Sequence, residues 1–181
     1  MDLSKNKIDA TLVFLIKEKG KQRKVLLAQK IRKKLIVNCF NGFGGSINKR
    51  ETPKACTIRE LREESGLIVI EKDDLQFAGI VIFHNQREDH SKFDVKVFIF
   101  ILKKWIGKLK LKKDEMVNSK WFKTYRLPKK RMAPGDKKFV PQILNNIHPD
   151  KIVRGEIWYS RGQKKLLGYD IKWVGRNGDV D

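Results

Sequence analysis

Hydrophobic and polar positions alternate along this chain in blocks of strand length, interrupted twice by stretches with helical spacing. ATLVFLIK (residues 10–17) and KVLLAQK (24–30) flank the turn-like EKGKQR, a pattern that predicts a hairpin. LQFAGIVIFH (75–84) and FDVKVFIFIL (93–102) predict a second hairpin across the polar NQREDHSK. SKWFKTY (119–125) reads as a further short strand, and EIWYS (156–160) with LLGYDIKWV (166–174) as a closing hairpin around Arg161, Gly162 and Gln163.

Two helices are expected. Thr52 is a good N-cap, Pro53 suits the first helical position and Gly66 marks a stop. Between them Ala55, Ile58 and Leu61 recur at helical spacing as a narrow apolar stripe. The second helix is expected over residues 136–147, interrupted or started late by Pro141. Residues 31–41 read as a loop leading into FNGFGG (40–45), too glycine-rich for a regular element and a mark of a tight turn or close backbone approach. The order β-β-α-β-β-β-α-β-β implies an α+β fold with a mixed sheet. With no internal repeat and no linker, residues 1–181 read as one domain.

Composition narrows this modestly. A hydrophobic share of 40% beside 34% charged residues suits a globular protein rather than a disordered one. No apolar run approaches the ~20 residues of a membrane span, and the first residues lack a signal-peptide core, so the expected location is cytoplasmic with no membrane partner. Cys39 and Cys56 show no metal-ligand spacing, and His84, His90 and His148 have no partner spacing either. Charge is the outlier: 41 Lys and Arg against 21 acids give a formal net charge of +20, a field that attracts polyanions. A lysine-rich solubilising surface explains the same excess, because the lysines are spread along the chain.

Against that background Glu60, Glu63 and Glu64 are crowded together. On a helical wheel they fall within about a third of the circle, and like charges at such spacing cost a helix ~0.2–0.5 kcal/mol per pair. A hard divalent cation neutralises such a cluster well, since Mg²⁺ takes oxygen ligands and is shared between carboxylates and phosphates. A solvated helix with Arg59 and Arg62 paired to the glutamates is the alternative, and it would prevail for this helix alone.

The surrounding spacing decides against it. Gly45, Glu51, Arg59, Glu60, Leu61, Glu63, Glu64, Gly66 and Leu67 match every fixed position of G-x5-E-x7-R-E-L-x-E-E-S-G-L, which resembles the Nudix box of the MutT/Nudix hydrolases. The resemblance implies an α/β/α sandwich with a loop-helix-loop metal site that cleaves a nucleoside diphosphate linked to another group. It implies Mg²⁺, with Mn²⁺ as a substitute, held by Glu60, Glu63 and Glu64 and by the Gly44 carbonyl. One of these glutamates would also orient or deprotonate the attacking water, and Arg59 would hold the cluster by pairing with Glu51.

Beyond the box the chain looks most like the 8-oxo-dGTP diphosphatase, or oxidised purine nucleoside triphosphatase, branch. FNGFGG maps the base-reading asparagine onto Asn41 beside Phe40, and DEMVNSKWF (114–122) maps a further metal-binding glutamate onto Glu115. APGDKKFVP (133–141) is similar to a segment that carries a stacking tryptophan and two adjacent aspartates, of which only Asp136 remains; Ala133 and Gly135 depart from it. Thr11 and Lys30 join the substrate set, and Lys33, Lys34, Arg131, Lys137 and Lys138 fall around the pocket mouth.

The substrate implied is a modified purine nucleoside triphosphate, cleaved to a monophosphate and pyrophosphate by a monomer. An RNA 5′ end is the second reading, which the basic charge favours. A run of lysines from Lys103 to Lys113 encloses Trp105, which would stack on a base in that reading and otherwise belongs to a solvated loop. A Nudix-fold binding module without turnover ranks last, because its box would be broken.

Overall fold

The computed structural model describes residues 6–31 and 38–176. Eight strands form one mixed sheet: β1 (Asn6–Lys19), β2 (Gln22–Lys30), β3 (Cys39–Asn41), β4 (Leu75–Gln86), β5 (Lys92–Leu102), β6 (Met116–Lys123), β7 (Lys151–Arg161) and β8 (Leu166–Gly175). Two helices accompany it, α1 (Pro53–Ser65) and α2 (Asp136–Asn145). The strand order is β3-β2-β1-β5-β4-β7-β8, with β6 also paired to β2. β1 runs parallel to β5 and β4 parallel to β7, while the other pairs are antiparallel.

Alternation along β1 explains why the sheet is covered on both faces. Leu12, Phe14 and Ile16 enter one core with Phe139, Val140, Ile143 and Leu144 of α2, and Val13 and Leu15 enter another with Leu61 of α1. A central strand buried on both sides reads as a continuous hydrophobic run, as residues 10–16 do. The result is an α/β/α sandwich, the mixed-sheet α+β architecture expected above.

Several boundaries differ from those the pattern gives. β1 begins at Asn6 rather than at residue 10, because its polar start is paired with β5 from Asn6↔Phe93 onward. Within the stretch read as a loop, β3 forms opposite Ala28, Gln29 and Lys30. The bases Lys33 and Lys34 lie outside the described residues. α2 runs through Pro141 and ends at Asn145, held by the buried Phe139, Val140, Ile143 and Leu144.

The helix α1 has the ends its sequence encodes. Thr52 accepts a hydrogen bond from the Ala55 amide at 3.2 Å, and Gly66 closes the helix in the left-handed conformation at φ 69°. Its buried face is rotated from the apolar stripe: Cys56, Thr57, Leu61, Glu64 and Ser65 are buried, while Ala55 and Ile58 are only half-buried. A glutamate therefore points inward, and its partners define the site.

Candidate active site

The glycine segment after β3 is stapled along β1. Val13 and Phe43 exchange backbone hydrogen bonds at 2.7 and 3.0 Å, and the Thr11 amide donates to the Gly45 carbonyl at 2.8 Å. This brings the segment so close to β1 that a Cβ on Gly44, at φ +141°, would stand 2.2 Å from the Thr11 carbonyl oxygen. A Cβ on Gly45 would stand 2.5 Å from the Glu60 carboxylate. Both glycines are needed for close approach, one to a strand and one to an acid.

Glu64, 4% exposed, turns into this junction. Its Oε2 accepts the Gly44 amide at 2.7 Å, and its Oε1 faces the Lys30 ammonium at 3.4 Å. Lys30 also donates to the Gly44 carbonyl at 2.7 Å. Burial pushes the Glu64 carboxyl above its ordinary range, with Lys30 and the Gly44 amide pulling it back.

Arg59 forms the second half of the cluster. Its guanidinium grips Glu51 with Nε–Oε1 at 2.8 Å and Nη2–Oε2 at 2.9 Å, and Nη1 reaches Glu60 at 2.7 Å and Glu63 at 3.4 Å. The fork geometry makes these strong charge-assisted bonds and holds Glu51 well below the usual carboxylate range, at about 2. Glu63 is half-exposed. Glu115, expected from the resemblance as a further metal ligand, pairs with Lys112 at 2.7 Å, on a loop whose Lys112 amide bonds the Glu64 carbonyl at 3.0 Å. Cys56 is buried among Thr11 and the carbonyls of Gly45 and Ser46, and burial raises its thiol pKa, so it serves as a neutral packing group.

Among the described residues no three acidic, His or Cys side chains converge as a ready-made cation site; the acids are neutralised by Arg59 and Lys30. The donor chemistry nevertheless fits a hard divalent cation. The Gly44 carbonyl and the carboxylates of Glu60, Glu63 and Glu64 are all oxygen, and the Lys30 ammonium already places a positive charge on two of these groups.

A cavity of about 400 Å³ opens beside the cluster, on the α2 side of β1. Thr11, Lys30, Gly44 and Gly45 line it beside the acidic cluster, together with Asn41, Asp136 and Tyr159. Asn41 accepts the Gly42 amide at 2.8 Å and donates to Asp136 at 3.1 Å, joining positions 95 residues apart. Phe40 is not on the wall: it packs edge-on to Phe122 with the Arg131 guanidinium over its ring. Phe83, Asn85, Tyr159 and Gln163 also line the cavity, and none was singled out from the sequence. The signal available was the strand pattern alone, which places a side chain on a face without naming its neighbours. Trp105, the candidate stacking residue, is half-buried against Trp121, with Lys17 over both rings.

Asp136 is fully buried, and this pushes its carboxyl up to about 7 against the pull of Lys30. Its ordinary value is 3.8, so folding favours the protonated form. The stabilisation it gives is complete below 3.8 and is lost as pH rises to about 7. Asp136→Asn keeps the hydrogen bond to Asn41 without the charge. Its Tm relative to the parent should rise between pH 4.5 and 8, by roughly 2–4 °C for each kcal/mol involved. A difference in Tm that is the same at both pH values would exclude a buried titrating Asp136.

An eight-stranded mixed sheet between two helices, with an arginine-braced acidic helix meeting a glycine turn, defines the Nudix class. The chain belongs to that family: the model of the NUDIX domain matches residues 6–143. A curated relative, the uncharacterized Nudix hydrolase YvcI of Bacillus subtilis (strain 168), is 30% identical over 113 residues, covering 62% of this chain. The match spans 66% of that relative's own length, just under two thirds. Among solved structures, the MutT protein of Bacillus halodurans superposes with a TM-score of 0.68 at 23% identity, covering 91% of this chain and 97% of that one. A MutT NUDIX hydrolase from Burkholderia pseudomallei gives 0.62 at 14% identity, covering 77% and 99%. At these identities the likeness is one of fold.

Proposed function

We propose that the protein hydrolyses a nucleoside triphosphate carrying a modified purine, releasing a nucleoside monophosphate and pyrophosphate. The observation that carries this reading is adjacency: Lys30, Gly44 and Gly45 belong both to the acidic cluster and to the wall of a cavity of about 400 Å³. That volume lies within the usual range for small-molecule sites, and Asn41 and Asp136 supply its wall with polar groups suited to a base edge. Base and phosphates of one nucleotide would thus meet the two halves at once.

Each residue then has a physical task. Asn41 and Asp136 face the base. Lys30 lies where the phosphates would enter and offers them an ammonium. Arg59 keeps Glu60 and Glu51 fixed, and half-exposed Glu63 is accessible to orient or deprotonate a water. A divalent cation, Mg²⁺ or Mn²⁺, held by the Gly44 carbonyl and Glu60, Glu63 and Glu64, would clamp the phosphates and neutralise the charge that develops on them. Glu115, paired with Lys112 at the edge of this set, would join only by leaving that partner.

The test is a Mg²⁺-supplemented panel of 8-oxo-dGTP, 2-hydroxy-dATP, dGTP, ADP-ribose and 5′-triphosphorylated or capped RNA, with phosphate release and nucleotide products followed. The expected outcome is the highest kcat/KM on a free modified purine triphosphate, with pyrophosphate formed. Preference for RNA over every free nucleotide would replace this reading by the RNA-end one that the net charge of +20 favours.

A further inference from the structure

The base-reading end of the cavity has a member that no aspartate pattern contains. A Cβ on Gly135 would stand 2.8 Å from the Tyr159 hydroxyl oxygen, 3.1 Å from Phe83 Cε1 and 3.2 Å from Ile157 Cδ1. The space that a carboxylate at position 135 would use is therefore filled by a phenol arriving from β7. The ring is firmly held: Phe83 stacks on it at 6.5 Å with 19° between planes, and Phe83 in turn meets Phe139 edge-on at 6.2 Å.

The hydrogen bonds around the phenol fix what it can offer. The Gly135 amide donates to the Tyr159 oxygen at 2.8 Å, which occupies its accepting side. Its O–H has no acceptor among the described residues. Burial pushes the phenol up to about 12, so it stays a neutral donor at physiological pH.

Most other polar groups of the cavity are already engaged. Lys30 is bonded to Gly44 and Glu64. Asn85 donates to the Phe83 carbonyl at 2.8 Å and accepts from Gln163. What remains is the second amide hydrogen of Asn41, the Asp136 carboxyl and the Tyr159 O–H.

We propose that Tyr159 is a specificity-determining residue whose hydroxyl donates to a carbonyl oxygen on the base edge, so that the cavity selects 6-oxopurine over 6-aminopurine nucleotides. The inference rests on the assignment of this cavity as the base site of a nucleotide hydrolase. A carboxylate at the same place would accept from amino and imino groups; the phenol reverses the polarity of that contact. An amino group opposite Tyr159 would meet a donor and lose its hydrogen bond on burial, which costs about tenfold or more in binding.

Tyr159→Phe keeps the ring and its stacking on Phe83 and removes only the hydroxyl. The parent and this variant would be compared on two 6-oxo substrates, dGTP and 8-oxo-dGTP, and two 6-amino substrates, dATP and 8-oxo-dATP. Binding of the α,β-imido analogues of dGTP and dATP would be measured in parallel by calorimetry, which does not require turnover. The parent should favour the 6-oxo members, and the variant should lose roughly tenfold on those while changing little on the 6-amino members.

A variant that loses equally on all four, or on none, overturns the inference, as does a parent that prefers the amino members. If no triphosphate is hydrolysed but the oxo analogue still binds more tightly and loses that advantage in the variant, the proposed activity fails and the role of Tyr159 stands. If neither analogue binds, both fall.

Discussion

Glu64→Gln should abolish useful turnover while the fold survives. Glu64 is 4% exposed and stands between the Gly44 amide at 2.7 Å and the Lys30 ammonium at 3.4 Å. Glutamine is nearly isosteric and keeps an oxygen for the amide, so the backbone junction is retained. Its charge is gone, however, and an amide NH₂ would face Lys30 or disturb the Gly44 bond. An acid that helps hold a cation and the water it serves contributes roughly 10²–10⁴-fold to rate, and a loss of that size in kcat is expected. Tm should stay within a few degrees, because the Lys30–Gly44 bond and the packing of Leu61 are untouched. Glu63→Gln should act in the same direction with still less effect on stability, since Glu63 is half-exposed. Near-parental kcat in both variants would refute the acidic site.

Alanine at Gly44 and at Gly45 should separate stability from activity. At Gly44 the new Cβ would meet backbone, 2.2 Å from the Thr11 carbonyl oxygen, at a φ of +141° that L-residues rarely adopt. The segment cannot retreat without breaking the Val13–Phe43 and Thr11–Gly45 hydrogen bonds. A cost of several kcal/mol is expected, seen as a fall in Tm of roughly 5–15 °C. At Gly45 the nearest atoms to the Cβ would be those of the Glu60 carboxylate, a side-chain end that Arg59 grips, at 2.5 to 2.7 Å. Glu60 is pushed aside at the expense of its Arg59 bond while the backbone pairing stays, so the fold holds, and the displacement of this proposed ligand costs roughly 10–10²-fold in kcat, as misplacement near 1 Å can. An unchanged Tm for Gly44→Ala, or an unchanged kcat for Gly45→Ala, would contradict the close approaches described.

Much of this arrangement is written locally. The helix ends at Thr52–Pro53 and Gly66 follow from capping chemistry, and the hairpins from alternation about polar turns. Even the crowding of Glu60, Glu63 and Glu64 declares itself, because like charges one turn apart are unfavourable without a counter-charge. What the pattern hides is decided by partners far along the chain. A helical wheel treats Glu64 as solvated, yet an amide 20 residues away and a lysine 34 residues away draw it inside. The start of β1 is too polar to announce a strand, and only β5 makes it one. Gly135 reads as a gap in the chain's own segment, yet Tyr159, 24 residues on, places its hydroxyl against that position.

The two faces of β1 carry a last implication. Odd and even side chains of this strand serve separate cores, so the acidic helix leans on one face while Asp136 and Tyr159 approach over the other. Lys30, Gly44 and Gly45 are shared by the cavity and the glutamates, whereas Ala133 and Tyr159 line the cavity alone and can change without touching that junction. If the cavity takes a base as proposed, such a scaffold lets the preference among bases drift, by chance or by engineering, while the acidic helix is inherited intact.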